Sequence, residues 1–234
     1  MSLQQPDSAF YGDSVWDQLF ESGSWGGTYP SEEAVRFAVR SRRALGNDRT
    51  RALDIGSGKG ACAWMLAREG WQVTCFDGSP NALDLLPGIF SKFGVKQSPE
   101  TLVGNITKPL DYLSDGNKFD LLLDHYSLYS NKPDEIERAY SQYREIAASG
   151  AFFLTCCFGK RSSGYGTGTS MGPGSYRDIP SGPLSKRGLV TFFSPDEIHS
   201  LLRRLGYSIE YYDVMEINGE AGIIEKIITA LRCP

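Results

Sequence analysis

A short glycine-rich turn between two apolar runs is the feature that most constrains the fold of this chain. The stretch 51–64, RALDIGSGKGACAW, places Gly56, Gly58 and Gly60 directly after an apolar segment. The residues that follow have the composition of a helix and end at another glycine. We therefore predict a strand, a turn in which the backbone passes close to a ligand, and a helix, in this order.

The rest of the chain continues this alternation of strands and helices. The apolar runs QVTCFD, TLVGNI, FDLLLD and AFFLTCCF predict strands, and helices are predicted from about Pro80 to Phe93 and from Pro133 to about Ala148. Strands without polar alternation are typical of a parallel sheet that helices cover on both faces, and right-handed crossovers make such a sheet doubly wound. A helix after Ser194 and two closing strands, expected to pair as a hairpin, complete the predicted α/β fold.

The segment from Gly159 to Leu189 interrupts this rhythm. It is rich in glycine and serine, and we predict that it forms no helix or strand of its own. It follows an apolar strand, at the carboxyl edge where open α/β sheets bind their ligands. A disordered loop and an active-site lid or substrate loop are both compatible with this composition, and the position favours the lid.

Composition excludes several classes of function. The five cysteines lack the paired spacing of metal sites, so we expect buried reduced thiols, no metal and a cytoplasmic protein. No apolar run approaches the length of a membrane span, and the N-terminus does not resemble a secretory signal. The net charge of −4 argues against a nucleic-acid partner.

A glycine turn of this kind can hold a nucleoside triphosphate, a dinucleotide or S-adenosylmethionine. The triphosphate loop needs Ser or Thr after its lysine, and Lys59 is followed by glycine. The dinucleotide pattern G-x-G-x-x-A is present at 56–61, and Asp77 follows about twenty residues later, where an acid binds ribose. This pattern alone is weak evidence for a dinucleotide.

Asp54 favours the third ligand. It lies two residues before the first glycine, at the tip of the first predicted strand. A carboxylate there repels a pyrophosphate and attracts a sulfonium and an α-ammonium group. Asp77 can accept charge-assisted hydrogen bonds from both ribose hydroxyls. We therefore expect S-adenosylmethionine, and a nicotinamide dinucleotide remains the alternative.

At this point the sequence resembles a known family. ALDIGSGKGACAWMLAREGWQVTCFDGSPNAL is similar to the signature region of class I S-adenosylmethionine-dependent methyltransferases of the small-molecule type. The segments FDLLLDHYSLY, AYSQYREIAASGAFFLTC and FFSPDEIHSLLRRLGYSIEYY resemble later parts of that family. The resemblance implies a Rossmann-like, seven-stranded sheet whose last strand is antiparallel. It also implies one domain, in which residues 1–50 cover the donor and residues 51–234 form the methyltransferase part, with an insertion at 159–189.

The resemblance assigns roles by position. Asp54 and the glycine turn would hold the methionine moiety, Asp77 the ribose, and Asn105 the adenine amine through its amide oxygen. Asp124 would lie near the transferred methyl group, and the N-terminal segment would fold over the donor. The full set of implied donor contacts is Trp25, Tyr29, Asp54, Gly56, Ser57, Gly58, Gly60, Asp77, Gly78, Ser79, Asn105, Ile106 and Asp124. S-adenosylhomocysteine would be the product.

The segment DHYSLY supplies candidates for catalysis. His125 fits a general base oriented by a neighbouring acid such as Asp124, although alternation along a strand points the two side chains to opposite faces. Packing under the adenine is the alternative role for His125. Candidate contacts to the acceptor are Tyr129, Tyr165, Tyr176 and Arg177.

The acceptor class is constrained mainly by what the fourth strand lacks. The Asn/Asp-Pro-Pro-Tyr/Phe signature of many amino-methylating enzymes on nucleic acids does not follow it, so we expect a small-molecule acceptor and neither a nucleic-acid nor a membrane partner. A donor-binding protein of the same fold without catalysis is the second hypothesis, and an NAD-dependent oxidoreductase a more distant third.

Overall fold

The computed structural model describes residues 14–23, 26–113, 116 and 118–234. The helices are α1 (Ser14–Glu21), α2 (Glu32–Leu45), α3 (Ala61–Arg68), α4 (Pro80–Asp84), α5 (Leu86–Lys92), α6 (Pro133–Ile146) and α7 (Pro195–Arg204). The strands are β1 (Arg51–Ile55), β2 (Gln72–Asp77), β3 (Glu100–Val103), β4 (Phe119–His125), β5 (Ala147–Gly159), β6 (Thr169–Gly172), β7 (Ser175–Arg177), β8 (Val190–Phe193), β9 (Ser208–Gly219) and β10 (Gly222–Arg232).

Seven of these strands form the predicted doubly wound sheet, in the order β3-β2-β1-β4-β5-β10-β9. The first five are parallel to their neighbours. β10 pairs antiparallel with both β5 and β9, and β9–β10 is the hairpin expected from the sequence. The predicted fold class is confirmed, including the antiparallel last strand.

The insertion at 159–189 is more ordered than its composition predicts. It contributes the hairpin of β6 and β7, and β7 pairs antiparallel with β8, which lies parallel to the end of β5. The sheet therefore has ten strands in the described residues, and the prediction that this segment forms no element was wrong. Ile179 and Leu184 are buried, so scattered apolar residues give the insertion a core despite its many glycines. The guanidinium of Arg161 and the buried carboxylate of Glu225 fix its base to β10 (2.8 Å).

One predicted helix is divided in two. The expected helix from Pro80 to Phe93 is α4 followed by α5, with Pro87 in the first turn of the second. Proline has no N–H and its ring clashes with the preceding turn, so a continuous helix cannot pass through this position.

Two apolar cores cover the two faces of the sheet. α6 and α7 pack with Leu53, Leu122 and Phe153 on one face, and α2, α3 and α5 pack with Ala52, Leu121 and other side chains on the opposite face. This alternation places Asp124 on the α6 face and His125 on the α2 face. In the part of the chain that the structure describes, no helix is long and apolar enough to cross a membrane, and no cluster of metal-binding side chains occurs.

Candidate active site

A cleft of about 280 Å³ opens where β1, β2, β3 and β4 reach their carboxyl ends. Parallel strands bring these ends to one edge of the sheet, which is where open α/β folds bind ligands. The lining residues are Trp16, Phe20, Gly26, Gly27, Gly56, Ser57, Gly58, Lys59, Ala61, Asp77, Gly78, Asn105, Ile106, His125, Tyr126, Ser127, Tyr129, Ser130, Asn131 and Arg187. Of the residues predicted from the sequence, the cleft brings together Gly56, Ser57, Gly58, Asp77, Gly78, Asn105, Ile106, His125 and Tyr129.

The glycine turn after β1 is shaped by close packing. Gly56 has a φ of +61°, and a Cβ there would lie 2.3 Å from the Cβ of Ser127. Gly58 has a φ of +52°, and its Cβ would lie 3.1 Å from the ring of Phe20, which also lines the cleft. Gly60 lies outside the lining and serves as the N-cap of α3. A side chain at position 56 or 58 would be strained and would narrow the cleft.

Asp77 is held rigidly at the end of β2. Its Oδ2 accepts a hydrogen bond from the Gly58 N–H (2.7 Å), and its Oδ1 accepts one from the Ser79 N–H (2.8 Å). Burial raises the pKa of Asp77, and these backbone hydrogen bonds oppose the rise. Each carboxylate oxygen keeps a further lone pair, so Asp77 can also accept hydrogen bonds from the hydroxyls of a ligand.

Asp54 lies on β1, behind the glycine turn and outside the cleft lining. The residue is only 2% exposed, and its Oδ2 has no hydrogen-bond partner among the described residues. Burial, and after it the nearby charge of Asp77, raise the pKa of Asp54 to about 8. A buried oxygen without a partner costs about 1–3 kcal/mol, so this carboxyl needs either a proton or a donor from a ligand.

Asn105 differs from its expected role. Its Oδ1 accepts two hydrogen bonds from Thr107, one from the N–H (2.9 Å) and one from the hydroxyl (2.8 Å). Because the Thr107 N–H must have an acceptor, the amide oxygen is the atom directed at it. The oxygen that was expected to accept from an adenine amine is therefore already occupied. The amide NH₂ of Asn105 has no hydrogen-bond partner among the described residues.

Ser79 and Tyr29, like Asp54 and Gly60, do not line the cleft. Ser79 is fully buried, where it caps α4 and donates a hydrogen bond to Asp17 Oδ1 (2.5 Å). Tyr29 is 69% exposed, and its ring packs edge-on against Phe93 with 5.2 Å between centroids. Trp25 lies outside the described residues.

Helix α1 supplies two cleft residues that sequence reasoning missed. Trp16 and Phe20 line the cleft, and Asp17 ties α1 to α4 through Ser79 and through Asn81 Nδ2 (3.1 Å). Trp16 and Phe20 are four residues apart, a spacing that puts both rings on one face of a helix. This spacing is the sequence pattern from which the two residues could have been predicted.

His125 turns from the end of β4 towards α2. Its Nε2 lies 2.7 Å from Ser31 Oγ and 3.5 Å from Glu33 Oε1. The hydrogen bond with His125, opposed by burial, lowers the pKa of Glu33 to about 2, so this carboxylate is ionised. The acid beside His125 is therefore Glu33, which no sequence pattern links to position 125.

Asp124 has a different role from the one predicted. Its Oδ1 accepts hydrogen bonds from the N–H groups of Ser127 (3.0 Å) and Leu128 (3.1 Å). Its Oδ2 accepts one from the Thr155 hydroxyl (2.8 Å), on the face opposite to His125. Burial raises its pKa to about 6, and these hydrogen bonds oppose the rise. Asp124 is fully buried, does not line the cleft and holds the turn after β4, so it does not orient His125.

Beyond His125 the cleft becomes aromatic. The ring of Tyr126 stacks on buried Phe158 with 5.0 Å between centroids, and Tyr129 meets the same ring edge-on at 4.6 Å. The guanidinium carbon of Arg187 lies 5.8 Å from the Phe158 centroid. This half of the cleft therefore combines aromatic surface with a guanidinium from the segment that precedes β8.

The insertion residues that were predicted to contact an acceptor do not line the cleft. Tyr165 and Tyr176 pack against Phe192 with 5.6 and 6.3 Å between centroids, and Arg177 ends β7. The insertion folds as a hairpin, so its aromatic side chains face each other. Arg187, which was not predicted, is the insertion residue that lines the cleft.

Comparisons with known proteins agree with the fold. Residues 52–150 match the family described as "Methyltransferase domain". A comparison with curated protein sequences found no match. The structure resembles 1,6-didemethyltoxoflavin-N1-methyltransferase of Burkholderia thailandensis, with bound 1,6-didemethyltoxoflavin and S-adenosylhomocysteine (TM-score 0.66, 19% identity, 94% of this chain and 86% of that one).

Two further solved structures share the fold over the whole chain or nearly so. One is magnesium protoporphyrin IX methyltransferase of Synechocystis PCC 6803, with bound S-adenosylmethionine (TM-score 0.65, 12% identity, 100% of both chains). The other is the N-methyltransferase NodS of Bradyrhizobium japonicum, in complex with S-adenosylhomocysteine (TM-score 0.62, 16% identity, 94% of this chain and 99% of that one). Residues 52–150 therefore match a methyltransferase domain, and the chain shares the fold of these methyltransferases that were crystallised with S-adenosylmethionine or S-adenosylhomocysteine.

Proposed function

We propose that this protein transfers a methyl group from S-adenosylmethionine to a small-molecule acceptor by in-line displacement. The observation that carries the proposal is the buried Asp54, whose Oδ2 has no partner among the described residues, beside a turn in which a side chain at position 56 or 58 would be strained. An ammonium group of the donor supplies the hydrogen bond and the positive charge that this carboxyl lacks. A pyrophosphate supplies neither.

The remaining residues of this half of the cleft fit the same donor. Asp77 accepts from the ribose hydroxyls, and the NH₂ of Asn105 donates to a ring nitrogen of the adenine, beside Ile106. Trp16 and Phe20 line the cleft from α1, which supports the assignment of residues 1–50 as the segment that covers the donor site of the methyltransferase part, residues 51–234.

The bound donor supplies a methyl group on a positively charged sulfur, so the electrophile needs no further activation. The protein contributes alignment and the exclusion of water, and alignment alone lowers a barrier by roughly 7–11 kcal/mol. His125 lines the cleft between the donor half and the aromatic half, where it accepts the proton of an acceptor that must lose one.

Several observations support a small-molecule acceptor. The structural neighbours include enzymes named for small molecules, among them the toxoflavin precursor and magnesium protoporphyrin IX. The acceptor half of the cleft presents an aromatic surface, and the net charge of −4 is unfavourable for binding a nucleic acid. A cytoplasmic location stays a prediction from the unpaired, buried cysteines.

Thermal unfolding with candidate ligands tests the donor. S-adenosylhomocysteine at about 100 times its Kd should stabilise the fold by about 2.7 kcal/mol, which corresponds to a rise of about 5–10 °C in Tm. Asp77→Asn should lose most of this rise, whereas Asp84→Asn, at an exposed position of α4, should keep it. A rise with NAD and none with S-adenosylhomocysteine would overturn the proposal.

Methyl transfer itself is tested by incubating metabolite pools with isotopically labelled donor. Mass spectrometry should then find a labelled small molecule that is absent when the Asp77→Asn variant is used. Donor binding without any labelled product would favour the alternative, a donor-binding protein of the same fold that does not transfer methyl groups.

A further inference from the structure

Glu33 approaches His125 from the first turn of α2, the helix that Ser31 caps. The Glu33 side chain is 9% exposed, and its Oε1 lies 3.5 Å from His125 Nε2. The same oxygen lies 3.5 Å from the hydroxyl of Tyr126 and 3.9 Å from Lys226 Nζ. One carboxylate oxygen therefore faces an imidazole, a phenol and an ammonium group.

The two oxygens around Nε2 determine where the proton of a neutral imidazole lies. A carboxylate has no proton to give, so a bare Nε2 would direct its lone pair at a negative charge. With the proton on Nε2, that N–H donates to Ser31 Oγ at 2.7 Å and is attracted by Glu33. Nδ1 then carries the lone pair, and within the described residues Nδ1 has no hydrogen-bond partner.

We propose that Glu33 is a positioning residue, which keeps the proton of neutral His125 on Nε2 so that Nδ1 removes the proton of a hydroxyl acceptor. The inference rests on the proposed methyltransferase function and adds the class of acceptor to it. Thiolates, carboxylates and neutral amines attack a sulfonium without prior loss of a proton, whereas a hydroxyl usually needs a base. A base oriented in this way therefore assigns the acceptor to the hydroxyl-bearing molecules.

The step balances as a single displacement. The acceptor O–H bond breaks and its proton moves to Nδ1, while the acceptor oxygen forms a bond to the methyl carbon. The bond between that carbon and the sulfonium sulfur breaks, and its electron pair stays on sulfur in neutral S-adenosylhomocysteine. The charge lost from sulfur appears on the imidazolium.

Charged and aromatic groups from three elements, α2, β4 and β10, surround the His125 ring. Glu33 from α2 and Asp124 from β4 are the acids that interact with it, and Lys226 from β10 partly offsets Glu33. Tyr126 contributes a ring edge, with 4.8 Å between the two ring centroids. Of these two acids, Glu33 is the one in direct contact with the imidazole. Removing the charge of Glu33 should therefore change the proton position on His125 more than removing the charge of Asp124 would.

Nitrogen NMR of the full-length protein tests the proton position without any acceptor. The protonated and bare nitrogens of a neutral imidazole differ widely in ¹⁵N chemical shift, and the chain has only two histidines, so the signals absent from the His125→Asn variant belong to His125. We expect Nε2–H as the main tautomer in the wild type and a mixture in Glu33→Gln. The matched control is Glu32→Gln, one position earlier on α2 with 83% of its side chain exposed, which should keep the wild-type spectrum. An Nδ1–H tautomer in the wild type, or an unchanged spectrum in Glu33→Gln, would overturn the inference.

Kinetics with a hydroxyl acceptor found by isotope labelling gives the second readout. Glu33→Gln should lower kcat at least tenfold and leave the KM for the donor within about twofold, because general-base catalysis contributes about 10²–10⁴-fold and only part of it is lost. The stabilisation by S-adenosylhomocysteine should persist in this variant. If S-adenosylhomocysteine does not stabilise the wild type, the proposed function is wrong. The NMR test of the tautomer needs neither donor nor acceptor, so its result is independent of that outcome. A labelled product methylated on nitrogen or sulfur would overturn the assignment to hydroxyl acceptors.

Discussion

The two halves of the cleft are built in different ways. In the donor half, the glycine turn, Asp54 and Asp77 lie within 24 consecutive residues, and a hydrogen bond from the Gly58 N–H to Asp77 joins the turn to β2. In the acceptor half, the contacts join His125 to Glu33 from α2, and Arg187 to Phe158 across the insertion. The glycine turn and its two acids thus form a local structure, to which α1 and Asn105 are added by packing, whereas the acceptor half depends throughout on tertiary packing between distant segments.

This difference predicts a separation of effects on substitution. Changes in the donor half should alter donor affinity and its pH dependence, and changes in the acceptor half should alter turnover or acceptor affinity while the donor still binds. A variant that changes both donor affinity and turnover of the acceptor would show that the two halves are coupled.

The largest effect is expected from His125→Asn. If the imidazole removes a proton during transfer, turnover of a hydroxyl acceptor should fall about 10²–10⁴-fold. The Kd for S-adenosylhomocysteine, measured by calorimetry, should change by no more than about twofold. Unaltered turnover would remove His125 from catalysis, and a large loss of donor affinity would place its role in the donor half.

The second-largest effect expected is the pH dependence of donor affinity, which depends on Asp54. The pKa of Asp54 in the folded, ligand-free protein is raised to about 8, far above its value in an unfolded chain. Below pH 8 an ammonium group must therefore displace a proton from this carboxyl when the donor binds. The affinity for S-adenosylhomocysteine should rise about tenfold per pH unit up to about pH 8 and then level off.

The same raised pKa has the opposite consequence for the fold itself. Between about pH 4 and pH 8 the folded protein keeps a proton that the unfolded chain has released, so stability without ligand should fall as the pH rises through this range. Asp54→Asn should make this fall smaller, leaving the part that the raised pKa values of Asp77 and Asp124 cause. It should also abolish the proton release measured by calorimetry in buffers of different ionisation enthalpy. Binding of S-adenosylhomocysteine without proton release at pH 7 would show that Asp54 does not pair with the donor.

The same contrast explains how much could be predicted from the sequence. The order of strands, the glycine turn and Asp77 were predictable because each depends on a few neighbouring residues and on the periodicity of apolar side chains. Asn105 was placed at the cleft, but its oxygen is occupied by Thr107, a local hydrogen bond that the family resemblance did not include. Ser79 was expected among the donor contacts and instead caps α4.

The acceptor half was predicted poorly for a physical reason. Glu33 and His125 are 92 residues apart, and nothing in the spacing of a helix or a strand couples them. Asp124 was the obvious partner because it is adjacent in sequence, but neighbouring residues of a strand face opposite sides of the sheet. For the insertion, composition suggested a loop, and only the packing of buried apolar residues determines which side chain reaches the cleft.

The smallest effect, and the sharpest contrast within one segment, concerns two arginines of the insertion. Arg187 lines the cleft beside the aromatic surface, whereas Arg177, which the sequence predicted as an acceptor contact, ends β7 away from it. Arg187→Gln should raise the KM for the acceptor about three- to tenfold, the range that a loss of about 0.7–1.4 kcal/mol of binding produces, and should leave the Kd for S-adenosylhomocysteine unchanged. Arg177→Gln should change neither. Equal effects of both variants would mean that the insertion acts on the site through its fold, and a loss confined to Arg177→Gln would mean that the hairpin of β6 and β7 reaches the acceptor by a movement of the insertion.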